Sequence, residues 1–308
     1  MKPSCDFELD YAEFLDDAIV EAWELQESMG ENEAKEPEER EWWILKPGMS
    51  DRGQGIKLFS TLEELQNIFE EWEADRPDSD DEEEQQEEEG GKEYIVTSHL
   101  RHFTTQPYIH PPLLLPQLGN RKFHIRTYVL AVGSLKVFVY KPMLALFASA
   151  SYIPPWNEST DLSSHLTNTC LQSGAHDGSV HSFFSPALPL PQAQKEEIFK
   201  QICETTGEVF EAAAKGMMVH FQTLPNAFEV FGLDFLVDEG GRPWLLEVNA
   251  FPDFRQTGGD LKDVVGGLWG AVVREVVGGF FGEGEGKEGV GERKGDLVLV
   301  RSVELGRK

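Results

Sequence analysis

Cysteine is nearly absent from this 308-residue chain: Cys5, Cys170 and Cys203 are an odd number with no C-x-x-C spacing. That excludes both a disulfide framework and a zinc knuckle, and it fits a reducing, cytoplasmic setting. Basic residues are scarce as well, 27 Lys and Arg against 55 Asp and Glu. A basic nucleic-acid-binding domain is therefore not expected, and no direct nucleic-acid partner is read from the chain. The amino-terminal stretch MKPSCDFELDYAEF is too acidic for a signal peptide and lacks an apolar core segment. The longest apolar run, VVGGLWGAVVREVVGGFFG, is broken by Arg274 and Glu275. Its spacing of Leu261, Val265, Leu268, Val272 and Val276 is that of an amphipathic helix packed on a core, so no membrane span is expected. Internal repeats are also missing.

The acidic excess is local. Residues 1–41 hold 15 acidic and 3 basic side chains, and residues 70–89 hold 13 and 1. The body of the chain is nearly neutral, and it is long enough for about two domains with a real core. Residues 1–40 read as an acidic extension with one helix over 11–29, marked by Phe14, Leu15, Ile19, Ala22 and Leu25. EWWILKPGMSDRGQGIKLF gives a strand, a glycine-bearing loop and a second strand; TLEELQNIFEEWE is a helix opened by a capping box, Thr61 with Glu64. The segment at about 74–92 is dense in like charge and poor in apolar residues, and reads as a disordered insertion. RKFHIRTYVLAVGSLKVFVYK is a hairpin turning at Gly133-Ser134, a helix covers about 191–215, and FEVFGLDFLVDEGGRPWLLEVN is a second hairpin turning at 239–241. Residues 41–105 and 106–281 are expected to form two lobes, and 282–308 a flexible tail with a short final strand.

Three clusters carry chemistry. In the second hairpin the turn sets Asp234 across from the neighbourhood of Glu247, and the period of two puts Glu247 and Asn249 on one face. Two carboxylates roughly 5 Å apart repel by about 3 kcal/mol at an effective dielectric of about 20. A hard divalent cation removes that penalty, and magnesium is commonly held by one or two carboxylates plus phosphate oxygens. Satisfied polar groups at a hairpin edge would give the same pattern. On the first hairpin Lys122, His124 and Arg126 share a strand face, with Phe123 and Ile125 on the other; this is either a phosphate cradle or a solvated cationic face. In ILKPGMSDRGQGI, Lys46 ends an apolar strand, and Gly48, Gly53 and Gly55 allow backbone N–H groups to approach a polyphosphate. The loop is neither G-x-x-x-x-G-K-[ST] nor G-x-G-x-x-G, and alone it is equally an ordinary glycine-rich turn.

In this order the three clusters resemble the ATP-grasp superfamily, and several segments resemble the tubulin-tyrosine ligase and tubulin-tyrosine ligase-like family. WWILKPGMSDRGQGI is similar to W-I-x-K-P-x-x-x-x-x-G-x-G-I, and TTQPYIHPPLLL to V-V-Q-K-Y-I-x-x-P-L-L. RKFHIRTYVL is similar to R-K-F-D-I-R-x-Y-V-L, HLTN stands at 165–168, and FEVFGLDFLVDEGGRPWLLEVNAFP follows F-E-L-x-G-x-D-F-x-x-D-x-x-x-x-P-W-L-L-E-V-N-x-x-P. The resemblance runs from about 41 to 255. It implies an α+β ATP-grasp fold of two lobes, with mainly antiparallel sheets flanked by helices and a nucleotide cleft between them. It further implies ATP and Mg²⁺ as cofactors, with Asp234, Glu247 and Asn249 holding the metal. Lys46 and Lys122 would contact phosphates, and Arg52, Gly53, Gln54 and Gly55 would cover them. Gln106, Tyr108 and Ile109 would line the adenine pocket, His124 would also be among the cofactor-binding residues, and Arg126 would steady an acyl phosphate. The implied reaction is ATP-dependent ligation of a free amino acid to a carboxylate of a protein acceptor, a tubulin tail or another.

Departures cluster in the same motifs. Pro107 replaces the lysine of Q-K-Y, and His124 the aspartate of K-F-D-I-R. Where the family writes Y-R-x-G-x-x-R, YKPMLALF has Lys141 and Leu146. RKFHIRTYVLA and MLALFA are similar to a fungal branch of the family associated with cytoplasmic mRNA processing bodies. The alternative to a ligase is thus a degenerate nucleotide-binding module acting as an interaction or scaffold protein.

Overall fold

The structure is a computed structural model that describes residues 3–48, 54–74, 101–157, 162–167, 179–252, 254, 262–278 and 295–304. The acidic insertion beyond Ala74, the stretch YIVTSHL, Arg52, Gly53 and the glycine-rich part of the tail lie outside them. The chain divides into two compact units, one of residues 2–110 with 153–162 and one of 111–152 with 163–308.

The first unit is a four-stranded antiparallel sheet of order β1-β4-β2-β3, from β1 (Cys5–Glu8), β2 (Trp43–Pro47), β3 (Lys57–Phe59) and β4 (His102–Pro107). Alternation in β2 sends Trp43 and Leu45 to one face, where they meet Phe59 and Phe103. Helices α1 (Leu15–Ala18), α2 (Trp23–Asn32) and α3 (Leu62–Ala74) add Leu15, Leu25, Met29, Leu65 and Phe69 to that core. The acidic segment is therefore not an extension with one helix. Its Phe7 and Leu9 are buried, β1 pairs with β4, and the expected single helix is broken at 19–22, where Ala22 N–H bonds the Ile19 carbonyl. The charge that masked this strand lies at its exposed alternate positions. At the start of α3 the Glu64 N–H bonds Thr61 Oγ1, while the Glu64 carboxylate accepts from the N–H of Ser60, one residue earlier than the standard box.

In the second unit β5 (Arg121–Val132) is the central strand of seven. β9 (Phe228–Val237) runs along one side of it; on the other, β7 (Leu144–Ser151) pairs with its first half and β6 (Lys136–Tyr140) with its second. β10 (Pro243–Asn249) borders β9, β11 (Leu297–Ser302) borders β6, and β8 (Val180–Ser182) borders β7; every pairing is antiparallel. The even and odd residues of β5 feed different cores. Phe123, Ile125 and Val129 pack beneath α4 (Gln192–Gly216) with Phe199, Ile202 and Phe210, while Tyr128 and Leu130 join Leu268 and Val272 of α5 (Lys262–Val272). A Cβ on Gly267 would stand 2.4 Å from the Tyr140 hydroxyl, so glycine is what lets α5 seat on β6. No helix among the described residues is long and apolar enough to cross a membrane.

Candidate functional site

The predicted residues fall into two groups, one in each unit. In the first unit Lys46 lies on the sheet face opposite the helical core, and its ammonium donates to Gln106 Oε1 at 2.9 Å. The pairing of β2 with β4 makes this contact: Lys46 stands opposite Thr104 and Ile44 opposite Gln106, so the cation and the amide are diagonal neighbours. Tyr108 and Ile109 follow, both buried, with Tyr108 N–H on the Trp42 carbonyl at 2.7 Å. Of the loop, Gln54 and Gly55 are described; Gly55 has φ +69°, a left-handed conformation that favours glycine. Gly48 is needed for a different reason: its Cβ would lie 3.2 Å from the His102 carbonyl oxygen.

In the second unit the other six residues are brought together. Lys122, His124 and Arg126 share one face of β5 and all are buried. Arg126 stands opposite Asp234 of β9 and holds it at two points, Nε to Oδ1 at 2.5 Å and Nη2 to Oδ2 at 2.9 Å. Burial works against the guanidinium charge, but the buried Asp234 carboxylate more than offsets this and raises the Arg126 pKa. This bidentate geometry is the strong form of a charge-assisted hydrogen bond.

Glu247 reaches Asp234 through an irregularity. Leu245 pairs with Phe235, yet Glu247, not Leu246, pairs with Asp234. The extra residue is a β-bulge, and without it Glu247 would point to the opposite face. The hairpin end fixes the register: Asp238 accepts from the Arg242 N–H at 2.9 Å and from Trp244 Nε1 at 2.8 Å, with the Arg242 guanidinium 4.2 Å from the Trp244 ring centre. Asn249 then donates from Nδ2 to Glu247 Oε1 at 2.9 Å. Although Glu247 keeps an exposed edge, the surrounding protein raises its carboxyl above the usual range, and Asp234 adds to this by hydrogen bond and charge.

His124 is the centre of the departure from the family motif. Its Nδ1 lies 2.6 Å from Thr167 Oγ1, and its Nε2 is 3.5 Å from Asp234 Oδ1, too long for a hydrogen bond. Burial, then the neighbouring Arg126, push its pKa down to about 3, so the ring is neutral at physiological pH. Thr167 is a site residue that strand periodicity could not find, since it lies on an irregular segment; the HLTN run was its only signal. The two family arginine positions are used otherwise here. Lys141 donates to both carboxylate oxygens of Glu196 at 3.1 Å and sits over the rings of Phe184 and Phe199, while Leu146 is fully buried in an apolar cluster with Tyr128 and Leu144.

The donor set fits a hard divalent cation. It comprises two carboxylates and an amide oxygen, and the Glu247 carboxyl is raised first by desolvation and then by its neighbour Asp234. Among the described residues no group of three His, Cys, Asp or Glu is placed to hold a metal ion, so the third donor here would be the amide of Asn249. Neither described cysteine competes as a nucleophile, because burial raises the Cys5 thiol and pushes Cys203 up to about 12.

Comparison with known proteins bears on the family and the fold. A probable tubulin–tyrosine ligase of Schizosaccharomyces pombe is 45% identical over 302 residues, which cover 97% of this chain and 72% of that protein. PBY1 of Saccharomyces cerevisiae, also named a probable tubulin–tyrosine ligase, is 45% identical over 294 residues, 91% of this chain but 38% of the relative. Among solved structures, the C-terminal domain of K. lactis Pby1 is 38% identical with a TM-score of 0.66, covering 98% of this chain and 71% of that one. It is described as an ATP-grasp enzyme interacting with the mRNA decapping enzyme Dcp2. The fold is thus the α+β ATP-grasp fold, which implies ATP binding. Residues 2–282 match the tubulin-tyrosine ligase family, and the chain belongs to it.

Proposed function

We propose that the protein is an ATP-dependent carboxylate–amine ligase that joins a free amino acid to a protein carboxylate. The observation that carries this reading is the convergence of Asp234, Glu247 and Asn249 on one sheet face, with Arg126 clamped to Asp234. Phosphoryl transfer needs positioning and charge neutralisation more than covalent help from the protein. Mg²⁺ held by Asp234, Glu247 and Asn249 would neutralise phosphate charge. Lys122, on the same face of β5, would supply a further cation for those phosphates, and Arg126, which clamps Asp234, would add positive charge beside the transferring group. A carboxylate oxygen of the acceptor attacks the γ-phosphorus and ADP leaves. The amino acid's amine then attacks the acyl carbon, phosphate departs, and one proton is released.

A second reading has its own observation. Leu146 places an apolar side chain where the family carries a cation, and His124 beside it is neutral. With the relative Pby1 described as interacting with Dcp2, this favours a nucleotide-binding module serving as a scaffold among cytoplasmic mRNA-decay proteins, processing bodies included. The two readings separate on turnover. Incubation with Mg·ATP, tubulin and radiolabelled tyrosine or glutamate, with hydroxylamine as an alternative amine, should give ADP, phosphate and an amide or hydroxamate. Nucleotide binding with no ADP formed under any of these conditions would favour the scaffold.

A further inference from the structure

The first unit has an outer surface that neither reading uses. Between residues 11 and 23 the inward positions Ala12, Leu15, Ile19 and Ala22 are buried, and eight side chains are exposed. Four of these are large and apolar: Tyr11 at 48%, Phe14 at 49%, Val20 at 64% and Trp23 at 63% exposure. The other four are Glu13, Asp16, Asp17 and Glu21. No base and no neutral polar residue stands among them. Single exposed apolar side chains are ordinary, but here they alternate with like charges along one short segment, and the rings of Tyr11 and Phe14 touch edge-on at 6.3 Å. Among the described residues none of the four carboxylates has a basic partner within 4.0 Å, whereas neighbouring Asp10 is paired with Arg101 at 2.8 Å.

We propose that this face is a docking surface for an extended segment of another protein in which arginines alternate with aliphatic residues. Charge selects the occupant. Nucleic acids and anionic lipid surfaces would meet four unpaired carboxylates and be repelled, as would a glutamate-rich peptide or the chain's own acidic segment at 78–89. A second copy carrying a formal charge of -28 is disfavoured for the same reason. Arginine fits better than lysine, because its planar group can pair with a carboxylate at two points and stack on Trp23 or Tyr11. Aliphatic residues between the arginines would cover Phe14 and Val20, burying surface now in water. The pinning of Ile19 and Ala22 in the core presents the face without a folding step, so binding would order only the partner.

The experiment is fluorescence anisotropy of a short labelled peptide in which arginines alternate with leucine and serine, at physiological salt, against the full chain. Controls are a peptide of equal charge with serine in place of leucine, and a chain lacking residues 76–91. The expected result is saturable binding that weakens about tenfold in Phe14→Ser/Trp23→Ser, that weakens on loss of the leucines, and that survives the deletion. Both side chains are about half exposed or more, so the variant should fold; if thermal unfolding shows otherwise, Asp16→Asn/Asp17→Asn carries the test with the same expected loss. Binding unchanged in these variants, or abolished by the deletion, would overturn the proposal. So would self-association of the wild-type chain that the Phe14/Trp23 variant loses, since the face would then be covered by a second copy.

Discussion

His124 and Leu146 stand directly opposite each other on β5 and β7, so two positions that depart from the family pattern form one cross-strand pair. The family writes an anion at one and a cation at the other; this chain has a neutral imidazole and a buried aliphatic group. A joint exchange leaves no uncompensated charge in a buried place, whereas either exchange alone would.

That pairing makes the two sites energetically coupled. Leu146→Arg alone should cost on the order of 3 kcal/mol or more, because it buries a guanidinium near Lys122 and Arg126. His124→Asp alone should also destabilise, by placing a second carboxylate beside Asp234. The double variant should be more stable than the sum of the two costs predicts by about 1 kcal/mol or more. Chemical denaturation of the four chains measures this directly; strict additivity would mean that the side chains do not interact.

Gly232 lies opposite both Tyr128 and Asn249, and a Cβ there would come within 2.9 Å of Pro252 Cβ and 3.4 Å of Arg126 Nη1. Gly232→Ala should therefore destabilise by about 1–3 kcal/mol, the range for overpacking. It should also weaken Mg·ATP binding, because Pro252, which must give way, follows closely on Asn249 in the chain. Full stability with unchanged nucleotide affinity would show that the neighbourhood has slack.

The pH dependence of stability has a sign set by His124. Its folded pKa of about 3 lies below the usual 6.5, so between these values the unfolded chain binds the extra proton. Stability should then fall as pH drops below about 6.5, with this residue contributing a slope of up to about 1.4 kcal/mol per pH unit. Above that range it contributes no slope. In His124→Gln the term is gone, so the stability difference between wild type and variant should shift against wild type on acidification from pH 7 to pH 4. A constant difference across the range would place the imidazole in contact with water.

Much of this was legible in the sequence because the strands alternate cleanly. The opposed faces of β5, the two hairpin turns and the α4 and α5 helices follow from apolar periodicity and glycine placement. The facing of Asp234 and Glu247 was also readable, but only the bulge at Leu246 produces it, and a one-residue irregularity has no signature in an apolar Trp-Leu-Leu run. In the amino-terminal segment the inward Leu15, Ile19 and Leu25 were legible, but β1 was not: Phe7 is its single buried position among acidic neighbours, and the strand is stabilised by its distant partner β4. His124 looked like one more cation on a basic face. Burial beside Arg126, a tertiary property, makes it neutral.

The measurement that bears most directly on the central claim is thermal unfolding of wild type and Glu247→Gln, each with and without Mg·ATP. The raised Glu247 pKa means that its charge opposes folding as pH rises through that value, so the unliganded variant should be no less stable than wild type at neutral pH. A ligand at about 100 times its dissociation constant stabilises the folded state by about 2.7 kcal/mol, a shift of several degrees. The account predicts that shift in wild type and its loss in Glu247→Gln. An equal shift in both chains would contradict the assignment of Asp234, Glu247 and Asn249 as the seat of the metal–nucleotide complex.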